Sequence, residues 1–349
     1  MKQMTTIIRC TTLVFRLILI LNFILLLNNS VFADQNETDS LKKEITNSIK
    51  DSSYVKTLLK LGTIYQFDKS DTALLYFKEA LKISKKINSK KLTAKSYNGI
   101  GIVYYYQSDY KKVLEYVKKS LRINEKIGDI DGVSSNLGII GAVYFGEGNY
   151  PKALHYYQKA LKINEEANDE KGISTNLGNI GTIYCIQKKY SKALEYYKKA
   201  LKINENIHQP DGKIGDNRGI AANLGNIGIV YEEQNNYPNA LEHYQKALKI
   251  YEEIGNKKGI AANLGNIGAL YSKQDNYSNA IIHYEKALKI FEEIGNMKGV
   301  TINLGNIASL YNKTEEYNKA WIMLKNSSFF SEILFFCSAN KKLAFFFCL

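Results

Sequence analysis

Only three prolines occur in 349 residues, and the usual marks of an irregular or cross-linked chain are missing. With 45% apolar and 23% charged residues, that scarcity excludes a disordered chain and points to a helix-rich protein with ample core. Cysteine is sparse too. Cys10, Cys185, Cys337 and Cys348 form no C-x-x-C pair and no zinc-like cluster, so no disulfide framework can be read from them. There is no H-E-x-x-H, no G-x-S-x-G, no Walker loop and no G-x-G-x-x-G in strand context. Of the four histidines, His155, His208, His243 and His283, the last two share one repeat position that is otherwise aromatic (Tyr156, Tyr196). Packing on a helix is the bland reading of that pair, and a metal held across two repeats is the sharper one. No catalytic residue, cofactor or metal is expected, so the chain is read as not an enzyme.

The formal charge of +13 is carried mostly by lysines that sit beside glutamates. That pattern reads as a solvated helix face, with a nucleic-acid patch as its rival. The N-terminus is more specific. Lys2, Arg9 and Arg16 precede an apolar run, Leu17–Leu27, and Val31-Phe32-Ala33 then leads into polar sequence. These are the parts of a secretory leader, with cleavage expected after Ala33. An uncleaved anchor is the alternative, although the apolar run is short for a span of about 20 residues.

The main positive signal is a repeat. A Gly-x-x-Tyr element recurs as Gly62/Tyr65, Gly101/Tyr104, Gly141/Tyr144, Gly181/Tyr184, Gly228/Tyr231 and Gly268/Tyr271, and a seventh copy has Ala308/Tyr311. Most steps are 40 residues, which marks a solenoid. Within the fourth unit Leu177, Ile180, Gly181 and Tyr184 share one helix face. Gln187-Lys188-Lys189 breaks the pattern, and Ala193, Tyr197, Ala200 and Leu201 then share a face of a second helix. Pro151 and Pro238 sit near the start of second helices, where proline is tolerated. Gly255 and Gly259, like Gly295 and Gly299, are read as exits and turns. Each unit is therefore expected to be an antiparallel helix pair.

These residues resemble the signature of the tetratricopeptide repeats: Leu-Gly-x-x-Tyr, then Ala-x-x-x-aromatic-x-x-Ala. The fourth unit supplies Ile180-Gly181, Tyr184, Ala193, Tyr197 and Ala200, and the fifth supplies Ile227-Gly228, Tyr231, Ala240, Tyr244 and Ala247. The second departs, with Val113, Val117 and Ser120. The longer unit is similar to the 40-residue variant of kinesin light chain and of polarity scaffolds of the LGN kind. The resemblance implies an all-α right-handed superhelix of about seven helix pairs over residues 53–326, after a polar lead-in at 34–52. It also implies that Gly181 faces Ala193 and Ala200, and that Tyr184 and Tyr197 fill the space between pairs.

Two irregularities stand out. His208–Ile214 (HQPDGKI) is a seven-residue insertion with turn chemistry, read as a surface loop that is either tolerated or contacts a partner. Residues 327–349 hold seven of the fourteen phenylalanines. That tail is read as an aberrant end of the reading frame, an apolar cap, or a membrane-associating segment.

The string NLGNIG at Asn176–Gly181 recurs at Asn223–Gly228 and Asn263–Gly268, with NLGNIA at Asn303–Ala308. By family register the residue before the Ile lines the groove: Asn179, Asn226, Asn266 and Asn306, against Lys60, Gly99 and Ile139 in the first three units. A row of primary amides can donate to and accept from an extended peptide backbone. The other row, Asn136, Asn176, Asn223, Asn263 and Asn303, is expected to meet the neighbouring repeat. The first glycine of each string is expected to open the groove floor. Tyr105, Tyr106 and Phe145 are expected to add an aromatic anchor. The resulting expectation is an exported, non-catalytic scaffold that binds a protein or extended peptide and no nucleic acid. Membrane contact is expected only through the leader or the tail. The alternative is an input module of a bacterial signalling protein that lacks its kinase, cyclase or DNA-binding output half.

Overall fold

The computed structural model describes residues 38–45, 50–66, 69–207, 215–314 and 316. The expected leader, the insertion, the second helix of the seventh repeat and the tail lie outside these residues. All regular structure among the described residues is helical: α1 (residues 38–45), α2 (Ser52–Tyr65), α3 (Ser70–Lys86), α4 (Lys90–Tyr106), α5 (Tyr110–Ile127), α6 (Ile130–Gly146), α7 (Tyr150–Ala167), α8 (Glu170–Ile186), α9 (Tyr190–Asn206), α10 (Asn217–Glu233), α11 (Tyr237–Glu253), α12 (Lys257–Lys273), α13 (Tyr277–Glu293) and α14 (Met297–Lys313). The chain divides into two compact units, Met1–Gly148 and Asn149–Leu349. Within each, helices adjacent in sequence pack on one another, from α2 to α6 in the first and from α7 to α14 in the second. The all-α solenoid of helix pairs read from the sequence is the fold observed.

Helix boundaries follow from local chemistry. Asp109, Asp129, Asp169 and Asp216 cap α5, α6, α8 and α10, each accepting a hydrogen bond from the N–H three residues on. Asn149, Asn236, Asn256 and Asn276 cap α7, α11, α12 and α13 in the same way. Pro151 and Pro238 fall in the first turns of α7 and α11, as expected. Between α8 and α9 a single residue, Lys188 (φ 57°), takes the left-handed conformation. Gly255 and Gly295, both at φ 65°, do so between helix pairs. Gly259 and Gly299 do not mark exits. They lie in the first turns of α12 and α14, where an added Cβ would run into the rings of Tyr251 and Phe291. The insertion leaves the packing register intact. Asp216 N–H donates to the Asn204 carbonyl at 2.7 Å, as Asp169 N–H does to Asn164 at 2.9 Å.

The polar lead-in is not wholly irregular. It carries α1, whose Leu41 is buried and whose Ile45 packs beside Tyr54 and Val55. Thr57 Oγ1 also donates to Glu44 Oε1 at 3.1 Å. Two apolar side chains in eight residues give too weak a period to announce a helix.

The core is built on one contact between glycine and an aromatic ring. A Cβ on Gly181 would stand 2.9 Å from the Tyr197 ring, one on Gly228 2.7 Å from Tyr244, and one on Gly268 2.9 Å from Tyr284. The expected partners of Gly181, Ala193 and Ala200, are fully buried, but the space the glycine leaves is filled by the ring. Tyr197 then packs on Ile227 and Val230 of the next pair, and Tyr244 on Ile267 and Leu270. Tyr184, half-buried, lies against Tyr196 with centroids 5.3 Å apart. In the first unit Phe77 plays the ring's part for both Gly62 and Gly99, and Val117 does so for Gly101.

Two outcomes are expected. Gly268→Ala should destabilise the chain by about 1–3 kcal/mol through overpacking. Gly265→Ala, whose Cβ would sit 3.5 Å from the nearest atom, should be neutral or gain roughly 0.5–1 kcal/mol of helix propensity. Equal effects in urea titrations would refute the plug. The second concerns pH. Burial pushes the Tyr197 and Tyr284 phenols up from 10.0 to about 12. A raised folded pKa means the stabilisation is complete below about pH 10 and is lost as pH climbs through about 12. The melting temperature should fall over that window, and a flat profile to pH 12 would contradict it.

Candidate functional site

The site is the face presented by the first helices, and its second-unit part is built from NLGNIG. The first asparagine of each string points inward. Asn176, Asn223, Asn263 and Asn303 are buried, and each Nδ2 donates to the carbonyl four residues back, on Gly172, Gly219, Gly259 and Gly299, at 2.9–3.1 Å. Each amide oxygen faces the preceding repeat where that repeat lies in the same unit. Asn223 Oδ1 comes 3.7 Å from where a Cβ of Gly178 would be, and Asn263 and Asn303 come within 3.5 Å of those positions on Gly225 and Gly265. The expected inter-repeat role of this row is thus observed. The first glycine lies beside that oxygen at a distance where even a Cβ would make only ordinary contact, and its second Hα faces the oxygen as a weak donor. The Oδ1 atoms of Asn176, Asn263 and Asn303 are buried with no conventional hydrogen-bond partner.

One place in the first unit shows what completes such an amide. Asn98 holds the register position of the first glycine. Its Nδ2 donates to Asn136 Oδ1 at 2.6 Å. Asn136 Nδ2 donates to Ser120 Oγ at 3.0 Å, and Ser120 Oγ–H donates to the Ala94 carbonyl at 2.8 Å. The departure at Ser120 is therefore one end of a satisfied polar chain.

The second asparagine of the string behaves differently. Asn179, Asn226, Asn266 and Asn306 are half-exposed, and none makes a hydrogen bond among the described residues. Asn179 and Asn226 come together in a cleft of about 220 Å³ between α8 and α10, floored by Gly178 and Asn223 and edged by Thr175 and Thr182. Asn266 and Asn306 hold the same register on α12 and α14. At one end of this face Tyr244 Oη donates to Glu232 Oε2 at 2.7 Å, and Lys273 Nζ pairs with Glu232 Oε1 at 2.9 Å, tying α12 to α10.

The aromatic trio is placed otherwise than expected. Tyr105 meets Tyr106 edge-on at 6.0 Å and tilts against Tyr110 of α5 at 6.2 Å, so the rings cluster at the turn after α4. Phe145 is half-buried near the end of α6. None of the three lines the first unit's two clefts, of about 420 and 870 Å³, along α2, α4 and α6. Lys60, which register placed in the groove, does edge one of those clefts, and the sequence reading missed its companions Lys56, Lys91 and Lys95. Their signal was the four-residue spacing of lysines on first helices, hidden in a chain rich in lysine.

His243 and His283 pack on Tyr231 and Tyr271 at 5.2 Å, and each Nδ1 lies 2.8 Å from a backbone carbonyl. Among the described residues no cluster of His, Cys, Asp or Glu could hold a metal ion, and no helix is long and apolar enough to cross a membrane. Cys185 is a half-buried free thiol that burial and the Glu233 carboxylate push above its ordinary pKa.

Helix pairs repeated every 40 residues, with a polar face on the first helices, define an α-solenoid of the binding-scaffold class. The tetratricopeptide repeat profile matches residues 51–126, 133–206 and 219–293, and the chain belongs to that family. No curated protein matches the chain. Solved structures share its fold at low identity. The apo quorum sensor NprR from B. thuringiensis matches with a TM-score of 0.62 and 16% identity over 86% of this chain and 83% of its own. Apo RapI matches with a TM-score of 0.58 and 19% identity over 77% and 95%. A Rap protein complexed with competence and sporulation factor matches with a TM-score of 0.58 and 16% identity over 88% and 85%.

Proposed function

We propose that the second unit captures an extended peptide along the row Asn179, Asn226, Asn266 and Asn306, and that the protein is an exported, non-catalytic binding scaffold. The observation that carries this is the contrast between the two asparagine rows. The inner amides are spent on the fold, whereas the outer four are half-exposed and unpaired. Each offers one acceptor and two donors at a repeating interval, which matches the alternating N–H and C=O groups of a peptide backbone. The similarity in fold to a Rap protein solved with its factor supports the same class of ligand. Export is supported by the basic start, the apolar run and Val31-Phe32-Ala33. The alternative, a sensory input module working with a separate output half, is favoured by the similarity in fold to a quorum sensor.

Panning a random peptide library on the full chain supplies the probe. Asn226→Ala combined with Asn266→Ala should weaken the selected peptides about tenfold, at about 0.5–1.5 kcal/mol per lost hydrogen bond, with melting unchanged. A fall in melting temperature with unaltered affinity would make these amides structural. For export, N-terminal sequencing of the chain expressed in a bacterial host should begin at Asp34. A start at Met1 in a membrane pellet would establish the anchor instead.

A further inference from the structure

We infer that the cleft between α8 and α10 is a specificity pocket for the side-chain amide of a glutamine in the bound peptide. The inference rests on the peptide-binding reading above and adds to it which residue of the peptide is read at this place.

Two asparagines outside the exposed row line this cleft of about 220 Å³. Asn204 is 2% exposed and Asn223 5%. Asn223 Nδ2 donates to the Gly219 carbonyl at 3.0 Å, but its Oδ1 accepts no hydrogen bond among the described residues. The side chain of Asn204, in the last turn of α9, makes none either. The corresponding oxygens of Asn176, Asn263 and Asn303 are sealed inside the fold, whereas Asn223 carries its own to the wall of the cleft. A buried polar group without a partner works against the fold, so two beside one cleft mark a place where a ligand supplies what the chain does not.

The rest of the lining decides the ligand's chemistry. The hydroxyls of Ser174, Thr175 and Thr182 donate to the carbonyls of Ala200, Lys171 and Gly178. The neutral donors left unspent around the cleft are therefore the amides of Asn179, Asn204 and Asn226. One carboxylate, Asp216, and one cation, Lys171, belong to the lining and balance each other. A charged side chain would lose its hydration there for no net attraction, and an apolar one would leave the buried amides unmet. A primary amide gives a donor to Asn223 Oδ1 and an acceptor to a neighbouring NH2 group. Asn223 lies at the floor, behind the exposed row. From a backbone held at Asn179 and Asn226, glutamine reaches it and the shorter asparagine falls short.

The chain makes the same pairing with itself in the first unit, where Asn98 Nδ2 donates to Asn136 Oδ1 at 2.6 Å. At the register position of Asn98, α8 has Gly178, and Asn223 Oδ1 stands 3.7 Å from where its Cβ would be. A glutamine of the ligand thus takes, against Asn223, the part that Asn98 takes against Asn136.

Peptides selected from a random library on the full chain should share a glutamine at one fixed position. Replacing it by glutamate, lysine or leucine should weaken binding about tenfold in fluorescence anisotropy, and asparagine should weaken it about threefold. The preference should be the same at about 50 and 300 mM salt, because neutral hydrogen bonds are barely screened. Gly178→Asn, which copies Asn98, should bring the glutamine and leucine forms within about twofold of each other without lowering the melting temperature. Gly265→Asn, the same change on α12, should leave the preference intact. Should Gly178→Asn unfold the chain, Asn204→Leu carries the test and should reduce the preference by itself. Selected peptides without a fixed glutamine, or a preference that survives both Gly178→Asn and Asn204→Leu, would overturn the pocket. If Asn226→Ala with Asn266→Ala still weakened those peptides, the amide row would stand without it. Selection of no peptide at all would overturn both.

Discussion

The packing of a tyrosine ring against a glycine on its partner helix is the contact on which the rest of the second unit depends. Tyr244 is fully buried because Gly228 has no side chain to keep it out. The same ring packs on Ile267 and Leu270 of the following pair, so one side chain closes its own pair and seats the next. A helix holding asparagine and glycine within six residues has poor intrinsic propensity, and packing of this kind is what holds it. The plug recurs at a fixed interval, so the first helices present equivalent residues at equivalent places. The row of exposed amides is a consequence of that spacing.

The two asparagines of NLGNIG lie within one turn and differ in burial, the first packed inside and the second half-exposed. The inner one bonds its own helix and turns its oxygen to a neighbour's glycine. An acceptor left without a strong donor costs about 1–3 kcal/mol, and the second unit carries this at Asn176, Asn263 and Asn303. The first unit avoids it at Asn136 by placing Asn98 opposite. Asn98 fills the very position that glycine leaves open in the cleft beside Asn179. Satisfying the inner amide therefore narrows the face, and leaving it unsatisfied keeps room beside the outer amides.

Much of this was legible in the sequence. The 40-residue interval gave the helix pairs, and the apolar spacing at Leu177, Ile180 and Tyr184 gave the face that packs. What could not be read was which atom fills which space. Family register set Ala193 and Ala200 opposite Gly181, yet alanines leave a gap that only a ring such as Tyr197 can fill. Gly259 and Gly299 looked like turns because glycine usually marks them. Their requirement is a clash with Tyr251 and Phe291, residues on the previous helix that no local pattern connects to them. Tyr105 was assigned to the groove by counting along α4, but near a helix end the neighbouring turn decides the ring's position, and Tyr110 captures it. The short α1 escaped because Leu41 and Ile45 acquire meaning only beside Tyr54 and Val55.

Charge was the least legible property, because the sequence does not say which lysines are already neutralised. Second helices carry Glu-x-x-x-Lys pairs, as at Glu115/Lys119, Glu195/Lys199 and Glu242/Lys246, all within 2.6–2.7 Å. Exposed pairs of this kind contribute little to stability, and each neutralises only its own lysine. In the first unit α2 and α4 carry no carboxylate of their own, so a lysine there finds its counter-ion on another element, as Lys91 does at Asp129. The positive charge of the first unit therefore does not belong to one face, because both its first and its second helices carry an excess of lysine over carboxylates.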